Sequence, residues 1–371
     1  MEDVTETSAG VRQVRAEGVP SAARSGAGAE GGATMRLVLV TAEEGAVVRR
    51  APIPVPVAGE ALVEMISTGV CGSDTHALHG LHPFIKLPYR PGHEVIGVVQ
   101  AVAEGVTGID VGRRVVVEPT VPCRRCKQCR AARENLCENL QVFGCVYPQG
   151  GMAEWFTVPA DRLHVIPDEL SDEQAILIEP LSTPVHAVRL AGPVKNRTVA
   201  ILGAGTIGLL LLATVRFHGV GRVVVTDMVP AKRERALALG ADAVVDAGRP
   251  DAVEAVREAL GESADIVFDC VAVQPTVNQA IGMALNGGTV VIVGVPTGDV
   301  TVPLAMIQDH QVRIQGTAMY LPEDYRESMD ILLAGGVQAK DFITAVYPME
   351  RVAEAFAASA GGEQIKVLVR P

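Results

Sequence analysis

The sequence predicts a two-domain α/β protein, in which a strand-rich region precedes a doubly wound parallel sheet. A chain of 371 residues is longer than one hydrophobic core usually supports, so two domains are expected. Between residues 35 and 180, short β-branched runs alternate with turns rich in Gly, Pro and Asp, which is typical of an all-β core. Beyond Pro184 strands alternate with helices, and this rhythm predicts a parallel sheet with crossover helices.

The first region begins with a strand. The run MRLVLVT starts at Met35 and has the apolar and β-branched residues that a strand favours. Residues 1–34 are rich in Ala, Gly, Ser and charge and predict a disordered tail. Either this tail is a dispensable extension or the natural chain starts at Met35. Before residue 180, no long helical stretch is expected apart from one near Arg130–Leu136.

The second region supplies six candidate strands, each a short apolar run between polar turns. They are Val199–Leu202, Arg222–Thr226, Ala243–Val245, Ile266–Phe268, Thr289–Val293 and Val312–Gln315. Helical stretches are expected between them at Ile207–His218, Pro230–Leu239 and Ala252–Leu260. A further helix, Asp324–Ala334, and a last strand, Ile365–Val369, form a terminal segment that could return to pack on the first domain.

Charge and hydrophobicity exclude several classes of function. The net charge of -11 argues against a general nucleic-acid binder. No apolar stretch reaches membrane-spanning length without interruption, and residues 1–34 lack the apolar centre of a secretion signal. We therefore expect a cytoplasmic protein that binds neither nucleic acid nor a membrane.

Four of the seven cysteines lie close together in the run PCRRCKQCRAARENLC. They are Cys123, Cys126, Cys129 and Cys137. Four thiolates can close a tetrahedral shell around one zinc ion and leave no position for a substrate. The spacing therefore predicts a structural zinc, in preference to a disulfide framework or a set of free thiols. The basic residues inside the run predict a solvated surface and not a DNA-reading finger.

A glycine motif follows the first predicted strand of the second region. Gly203, Gly205 and Gly208 fit G-x-G-x-x-G between the apolar run TVAIL and a helical stretch. The first glycine permits a tight turn, the second lets the backbone approach a pyrophosphate, and the third lets helix and strand pack closely. This context favours a nucleotide site over a merely structural turn, and the site would include Thr206 and Ile207.

Asp227 indicates which dinucleotide is bound. It ends the run VVVTD, nineteen residues beyond Gly208. A carboxylate there accepts hydrogen bonds from the ribose hydroxyls and repels a 2′-phosphate, so NAD is the predicted cofactor. Lys232 is a further cofactor-binding candidate, and together with Arg233 it leaves NADP as a less favoured alternative.

A sparser set of metal-ligand residues lies outside the cysteine run. Cys71 lies in VCGSDTH, His93 and Glu94 lie in PGHEVIG, and Glu179 lies in IEPLS. A cysteine, a histidine and a carboxylate make three protein ligands, and they leave the fourth position of a zinc ion for water or an alcohol. Cys71 and His93 each lie in a glycine-containing turn beside a strand, which favours a ligand over a core residue.

Together these motifs resemble those of the zinc-containing medium-chain dehydrogenase/reductase family, and especially its polyol (sorbitol-dehydrogenase-like) branch. The motifs that carry the resemblance are VCGSDTH, PGHEVIG, the cysteine run, IEPLS, GAGTIG and VVVTD. The match covers residues 35–371. The resemblance implies a GroES-like, β-rich catalytic domain over residues 35–181 and 319–371, with a structural zinc lobe at about 121–140. It implies a Rossmann NAD-binding domain over residues 182–318.

The resemblance also implies the ligands of a catalytic zinc in a cleft between the domains. Cys71 and His93 are implied as ligands, with Glu94 or Glu179 binding the metal directly or through water. Each subunit would then hold two zinc ions, one catalytic and one structural, and relatives of this kind are usually dimers or tetramers.

The implied reaction is hydride transfer from a secondary alcohol or polyol to NAD, which gives the ketone. Zinc would act as a Lewis acid on the substrate hydroxyl. Ser73 is implied as the first acceptor of the hydroxyl proton, and His76 as the group that passes it to solvent. His79 and His82 continue the three-residue spacing but predict an exposed edge.

The resemblance loosens in the run GTAMY, where the polyol branch usually carries an Arg-Tyr pair that helps to hold the substrate. Tyr320 is present, but Met319 replaces the arginine. This favours a less polar secondary alcohol, a diol or a cyclitol-like alcohol. The alternatives are a threonine or amino-alcohol dehydrogenase of the same family and a non-catalytic nucleotide-binding relative. A zinc-free quinone reductase is disfavoured because both ligand sets are present.

Overall fold

The computed structural model describes residues 33–296 and 298–371. The predicted tail, residues 1–34, lies outside this part of the chain except for its last two residues. The described chain divides into two compact units. Unit 1 consists of residues 33–123, 138–176 and 343–371, and unit 2 consists of residues 124–137 and 177–342.

The strands are, in chain order, β1 Thr34–Thr41, β2 Gly45–Pro52, β3 Glu60–Val70, β4 Val95–Val102, β5 Arg114–Val117, β6 Thr120–Val121, β7 Gln141–Val142, β8 Trp155–Pro159, β9 Leu163–Val165, β10 Thr198–Leu202, β11 Arg222–Asp227, β12 Ala243–Asp246, β13 Ala264–Asp269, β14 Ala284–Ile292, β15 Arg313–Gly316, β16 Ile343–Pro348 and β17 Lys366–Arg370.

The helices are α1 Gly72–Leu78, α2 Lys127–Arg130, α3 Asp172–Ala175, α4 Ile178–Ala191, α5 Thr206–Phe217, α6 Pro230–Ala238, α7 Ala252–Leu260, α8 Gln274–Met283, α9 Leu304–Asp309, α10 Pro322–Leu333, α11 Ala339–Phe342 and α12 Val352–Ala360. Short 3₁₀ turns occur at Glu134–Leu136, Ala160–Arg162 and Met349–Arg351. Among the described residues, no helix combines the length and the apolar character needed to cross a bilayer.

Unit 1 is built around a seven-stranded sheet. The order is β16-β17-β3-β4-β5-β9, and β8 pairs with β3. Strand β3 is buried along most of its length because it lies in the interior of this sheet, and the rings of Phe143 and Phe156 pack 5.3 Å apart in the core. The strand-rich first region that the sequence predicts is therefore confirmed.

Unit 2 contains a parallel sheet of six strands in the order β12-β11-β10-β13-β14-β15. Strand β10 is buried at every residue because strands and helices surround it. All six predicted strands are confirmed with shifts at their ends, the largest in β14, which begins at Ala284. The order reverses at β10 and β13, and such a switch point opens a crevice at the carboxyl ends of the strands.

Two helices near the candidate site are not foreseen by the sequence pattern. Helix α1 follows Cys71 and has only seven residues. It begins there because the carboxylate of Asp74 accepts the backbone N–H of Cys71 at 3.0 Å and so satisfies an unpaired donor at the helix start. Helix α4 contains Pro184, and a proline inside a helix hides its periodicity.

The boundaries of the compact units differ from the predicted domain boundaries, which lie between residues 181 and 182 and between residues 318 and 319. Unit 2 continues to residue 342 because α10 packs on α4. The Nδ1 of His186 on α4 lies 2.9 Å from the Oδ2 of Asp324 on α10, and the hydroxyls of Ser182 and Ser328 are 3.2 Å apart.

Candidate functional site

The end of β3 and the turn before β4 bring three metal-ligand residues together. The two strands pair with Thr68 opposite Val95, so Cys71, just past β3, lies near His93 and Glu94, just before β4. One ligand atom from each of these three residues lies within 4.8 Å of the others. A thiolate, an imidazole and a carboxylate at this separation can share one zinc ion and leave a coordination position open.

Two glycines permit this close approach of the backbone. A Cβ at Gly69 would overlap the carboxylate of Glu94. Gly92 has a φ of +103°, and a Cβ there would overlap the backbone nitrogen of Met152. A larger residue at Gly69 would force the ligand-bearing turn away from β3, and one at Gly92 would force it away from residues 151–152.

The side chain of His93 is oriented by buried neighbours. Its Nδ1 lies 3.6 Å from the Sγ of Cys145 and 4.0 Å from the Oδ1 of Asp74. Asp74 also accepts a hydrogen bond of 2.9 Å from the hydroxyl of Tyr89, and burial raises the pKa of its carboxyl group. Because Nδ1 faces these groups, Nε2 is the nitrogen left for a metal.

The sequence interpretation did not include these supporting residues. For Asp74 a signal existed, because it lies three residues after Cys71, the spacing of a carboxylate that caps a helix start. For Tyr89 and Cys145 there was none, since their contacts are long-range in sequence.

Glu94 forms a buried ion pair that the sequence interpretation also missed. The Nζ of Lys366 lies 2.6 Å and 2.7 Å from its two carboxylate oxygens, and the two side chains are 3% and 2% exposed. The lysine opens the apolar strand β17, and a buried charge in such a strand requires a partner. The charge of Glu94 is therefore compensated within the protein.

The predicted proton-relay residues lie on α1. Ser73 is half-buried and His76 is exposed, and residues three apart lie on the same face of a helix. His79 is exposed, and the Nδ1 of His82 accepts the backbone N–H groups two and three residues further on. The pair Ser73 and His76 thus runs from the half-buried start of the helix to solvent.

Glu179 lies in the first turn of α4, in unit 2, and is buried. The hydroxyl of Tyr320 donates a hydrogen bond to it, and the Tyr320 ring packs edge-on against Tyr325 with centroids 5.3 Å apart. Burial, followed by the charge of Glu179, raises the pKa of Tyr320 well above its usual range, so this phenol stays a proton donor. That Glu179 shares a metal with Cys71 and His93 stays a prediction.

The four cysteines of the run converge on one point. Their four Sγ atoms all lie within 4.8 Å of one another. The residues are Cys123, Cys126, Cys129 and Cys137. Cys126 precedes α2, and its Sγ is 3.4 Å from that of Cys129 and 4.0 Å from that of Cys137. None of these four cysteines forms a disulfide, and four thiolates in this arrangement suit a closed tetrahedral zinc site.

The glycine motif forms the turn between β10 and α5. Gly203 has a φ of +94°, which favours glycine, and a Cβ at Gly208 would overlap the carbonyl oxygen of Gly203. A Cβ at Gly205 would meet no atom within 4 Å, so space for a phosphate is left at that residue. Thr206 and Ile207 follow in the first turn of α5, and both are half-buried.

Asp227 ends β11 and is held against the glycine turn. Its Oδ2 accepts the N–H of Ala204 at 2.9 Å, and its Oδ1 accepts the N–H of Val229 at 2.8 Å. Arg233 donates to the carbonyl of Asp227 at 2.8 Å, and Lys232 is half-buried beside it on α6. Each carboxylate oxygen of Asp227 accepts one backbone N–H and keeps a second lone pair, which can accept a ribose hydroxyl.

Two family models match the chain. The alcohol dehydrogenase GroES-like domain matches residues 57–168, and the zinc-binding dehydrogenase model matches residues 206–334. The first covers the Cys71, His93 and Glu94 turns together with the cysteine run. The second begins inside the glycine motif.

Individual proteins resemble the chain over most of its length. D-xylulose reductase A of Aspergillus oryzae is 33% identical over 320 residues, which cover 84% of this chain and 89% of that protein. A crystal structure assigned as a zinc-binding dehydrogenase from Sinorhizobium meliloti 1021, bound to NADP, is 33% identical with a TM-score of 0.85 and covers 91% of this chain and 100% of that one. The 2R,3R-butanediol dehydrogenase of Bacillus subtilis is 27% identical with a TM-score of 0.84, and covers 91% of this chain and 99% of that one.

These matches confirm the predicted fold class, with a GroES-like domain and a Rossmann-type sheet. They also confirm zinc, a nicotinamide cofactor and a small-molecule alcohol substrate. The donor sets described above fit zinc, and the glycine turn fits a dinucleotide. The chain therefore belongs to the zinc-containing medium-chain dehydrogenase/reductase family, in its polyol-dehydrogenase-like branch, and acts as an NAD(P)-linked alcohol dehydrogenase.

Proposed function

We propose that the protein oxidises a secondary hydroxyl of a polyol, a diol or a cyclitol-like alcohol to a ketone, with NAD as the hydride acceptor. The observation that carries this proposal is the convergence of Cys71, His93 and Glu94, whose ligand atoms lie within 4.8 Å of one another. Three protein ligands leave zinc open to a substrate hydroxyl. A protein that only bound a nucleotide would need no such set.

Cys71 and His93 are the residues proposed to hold the catalytic metal, with Asp74 and Cys145 orienting the imidazole. When bound there, zinc supplies the Lewis acidity that lowers the pKa of a substrate hydroxyl. The Oγ of Ser73 accepts the proton, and His76, three residues further along α1, delivers it to solvent.

The third ligand is proposed to be Glu94 or Glu179. Glu94 lies in the group of three but is paired with Lys366, and Glu179 accepts the hydroxyl of Tyr320. Separate Glu94→Gln and Glu179→Gln variants distinguish the two. The direct ligand is the one whose loss lowers the zinc content from two ions to one.

NAD is the proposed cofactor in preference to NADP. The support is the position of Asp227, whose carboxylate is fixed by Ala204 and Val229 at the end of β11, where the ribose hydroxyls of a dinucleotide lie. The NADP-bound relative from Sinorhizobium meliloti makes a direct comparison of the two cofactors necessary.

The substrate class is proposed from Met319 and from the relatives. Met319 offers no cation to hold a chain of hydroxyls, which favours few hydroxyl groups near the reacting carbon. One relative is named for reduction of the ketose D-xylulose, the reverse of polyol oxidation, and another for the diol 2R,3R-butanediol, so polyols and diols are both reasonable substrates.

The decisive experiment is a substrate panel. Polyols, diols, cyclitols, threonine and simple alcohols are each incubated with NAD and with NADP, and the reduced cofactor is followed by its absorbance. We expect turnover of a secondary alcohol with NAD, abolished by chelation and restored by zinc. Activity in metal-free protein, or preference for threonine over every alcohol, would contradict the proposal.

We further propose a homodimer or homotetramer in the cytoplasm. Strand β15 forms an edge of the parallel sheet and carries Ile314, which is 39% exposed, and the unpaired backbone groups of an edge strand favour pairing with a second copy. Light scattering of the purified protein gives the mass of the assembly, and a monomer would contradict this proposal.

A further inference from the structure

Asn135 lies inside the cysteine run but points away from it. It belongs to the 3₁₀ turn Glu134–Leu136 and is 7% exposed. Its Nδ2 donates a hydrogen bond of 3.0 Å to the carbonyl oxygen of Ala318, and it lies 3.4 Å from the Nε2 of His186. The lobe that carries the cysteines is thus tied to the segment after β15 and to α4.

The tautomer of His186 fits both contacts of the amide. The Nδ1 of His186 lies 2.9 Å from a carboxylate oxygen of the buried Asp324. A carboxylate only accepts, so Nδ1 carries the hydrogen and Nε2 is an acceptor. The two hydrogens of the Asn135 amide therefore have two acceptors, His186 and Ala318, and no aliphatic side chain could satisfy either.

The tethered segment contains a strained residue. Met319, between Ala318 and Tyr320, has a φ of +54°, in the left-handed region that a side chain with a Cβ adopts only at a cost. It is fixed on both sides, because Asn135 holds the carbonyl of Ala318 and Glu179 holds the hydroxyl of Tyr320.

We infer that Asn135 is a positioning residue for Glu179. It acts through Ala318 and the strained Met319 to aim the hydroxyl of Tyr320 at that carboxylate. A zinc ion held by the four cysteines would support the reaction indirectly, because those cysteines would keep Asn135 in place. The inference rests on the proposed function, because it takes Glu179 as part of the active site.

The test compares two asparagines of unit 2. Asn135→Ala removes the tether, and Asn135→Asp keeps the shape of the side chain but cannot donate. Asn278→Ala is the matched control, since Asn278 is exposed on α8 and lies outside the cysteine run and the segment that Asn135 holds. Each variant is assayed in the full-length, zinc-loaded enzyme for kcat, KM, zinc content and thermal unfolding.

We expect both Asn135 variants to lower kcat by roughly ten- to hundredfold with two zinc ions retained, because small misplacements of an active-site group are costly. The loss should combine less than multiplicatively with that of Tyr320→Phe, since both act on one carboxylate. Amide hydrogen exchange of the peptide 316–325 should become about tenfold faster in the Asn135 variants and not in Asn278→Ala.

The outcomes separate this inference from the proposed function. Unchanged exchange of peptide 316–325 overturns the tether whether or not the enzyme is active. Faster exchange with unaltered kcat shows that the segment moves without consequence for Glu179, and this also overturns the inference. Wild-type protein that oxidises no alcohol overturns the proposed function itself, and the catalytic role of Asn135 with it.

Discussion

At the scale of single residues, Glu94 shows how the fold places a charge beside a metal site. Both oxygens of its carboxylate face the Nζ of Lys366 at 2.6 Å and 2.7 Å. Gly69 lets this pair lie close to β3, because a Cβ at that residue would overlap the same carboxylate. Such a buried pair is expensive to break, because the surviving charge loses its water and its partner together.

Replacement of Lys366 by Met should therefore destabilise unit 1. We expect Lys366→Met to lower the free energy of unfolding by about 3–5 kcal/mol, measured by denaturant titration. The double variant Glu94→Gln with Lys366→Met should recover much of this loss, since no uncompensated charge is left. Arg351→Met, which breaks the exposed pair with Glu354, is the control and should hardly change the midpoint. A double variant no more stable than Lys366→Met would contradict the argument.

The contact between Cys145 and His93 leads to a second prediction. Because the Sγ of Cys145 lies 3.6 Å from Nδ1 of the imidazole, Cys145→Ala should weaken zinc binding at the site with three protein ligands. Loss of a group that orients a metal ligand typically costs about 10–100-fold in affinity. Competition with a chromophoric chelator measures the change.

Cys270→Ala is the matched control for Cys145→Ala, since Cys270 follows β13 in unit 2 and belongs to neither group of metal-ligand residues. It should leave the zinc affinity unchanged. Equal affinity in the wild-type protein and in Cys145→Ala would show that Asp74 alone orients His93.

At the scale of elements, the turn between β10 and α5 gives its glycines different tasks. A Cβ at Gly208 would overlap the carbonyl of Gly203, whereas one at Gly205 would meet no protein atom within 4 Å. Gly205 also has φ -78° and ψ -171°, which alanine adopts without strain. Gly208 therefore serves the packing of helix on strand, and Gly205 leaves space for the ligand.

Alanine at these two positions should separate stability from nucleotide binding. Gly208→Ala is expected to lower the free energy of unfolding by about 1–3 kcal/mol, because the turn must open to admit a methyl group. Gly205→Ala should unfold at the wild-type temperature but bind NAD at least about tenfold more weakly, since its methyl group fills the space next to the pyrophosphate. Thermal unfolding and a fluorescence titration with NADH measure the two effects. Normal NADH binding by Gly205→Ala would place the pyrophosphate elsewhere.

Elements with a strong local pattern are the ones that the sequence predicts well. The six strands of the parallel sheet are short apolar runs bounded by turns, and α7 agrees with its prediction at both ends. Helix α1 has seven residues with a glycine first and one histidine, and α4 has a proline in its interior. Helix α1 is held by the cap that Asp74 provides, and α4 is held by packing against α10, and such contacts leave little trace in local periodicity.

At the scale of the whole molecule, the sequence predicts ligands better than their supports. Cys71, His93 and the cysteine run lie in short motifs whose residue types are those of zinc sites, and the structure groups them as expected. The partners of these residues come from distant parts of the chain, as Lys366 and Asn135 show. One sequence carries no record of such contacts, because any residue of suitable chemistry could supply them.

The two groups of ligands should release zinc in two separate steps. Four thiolates would close one site, whereas the proposed site of Cys71 and His93, with Glu94 or Glu179 as the third ligand, would leave one position of the zinc open, so a chelator can attack that zinc directly. We expect mild chelation to remove one zinc ion per chain and nearly all activity, with the thermal unfolding temperature little changed. Stronger chelation should remove the second ion, expose four more reactive thiols and lower that temperature, because a structural zinc contributes to folding free energy. Zinc analysis and thiol titration follow both steps. Loss of both ions in a single step, or activity that survives loss of the first, would contradict the division into an open and a closed site.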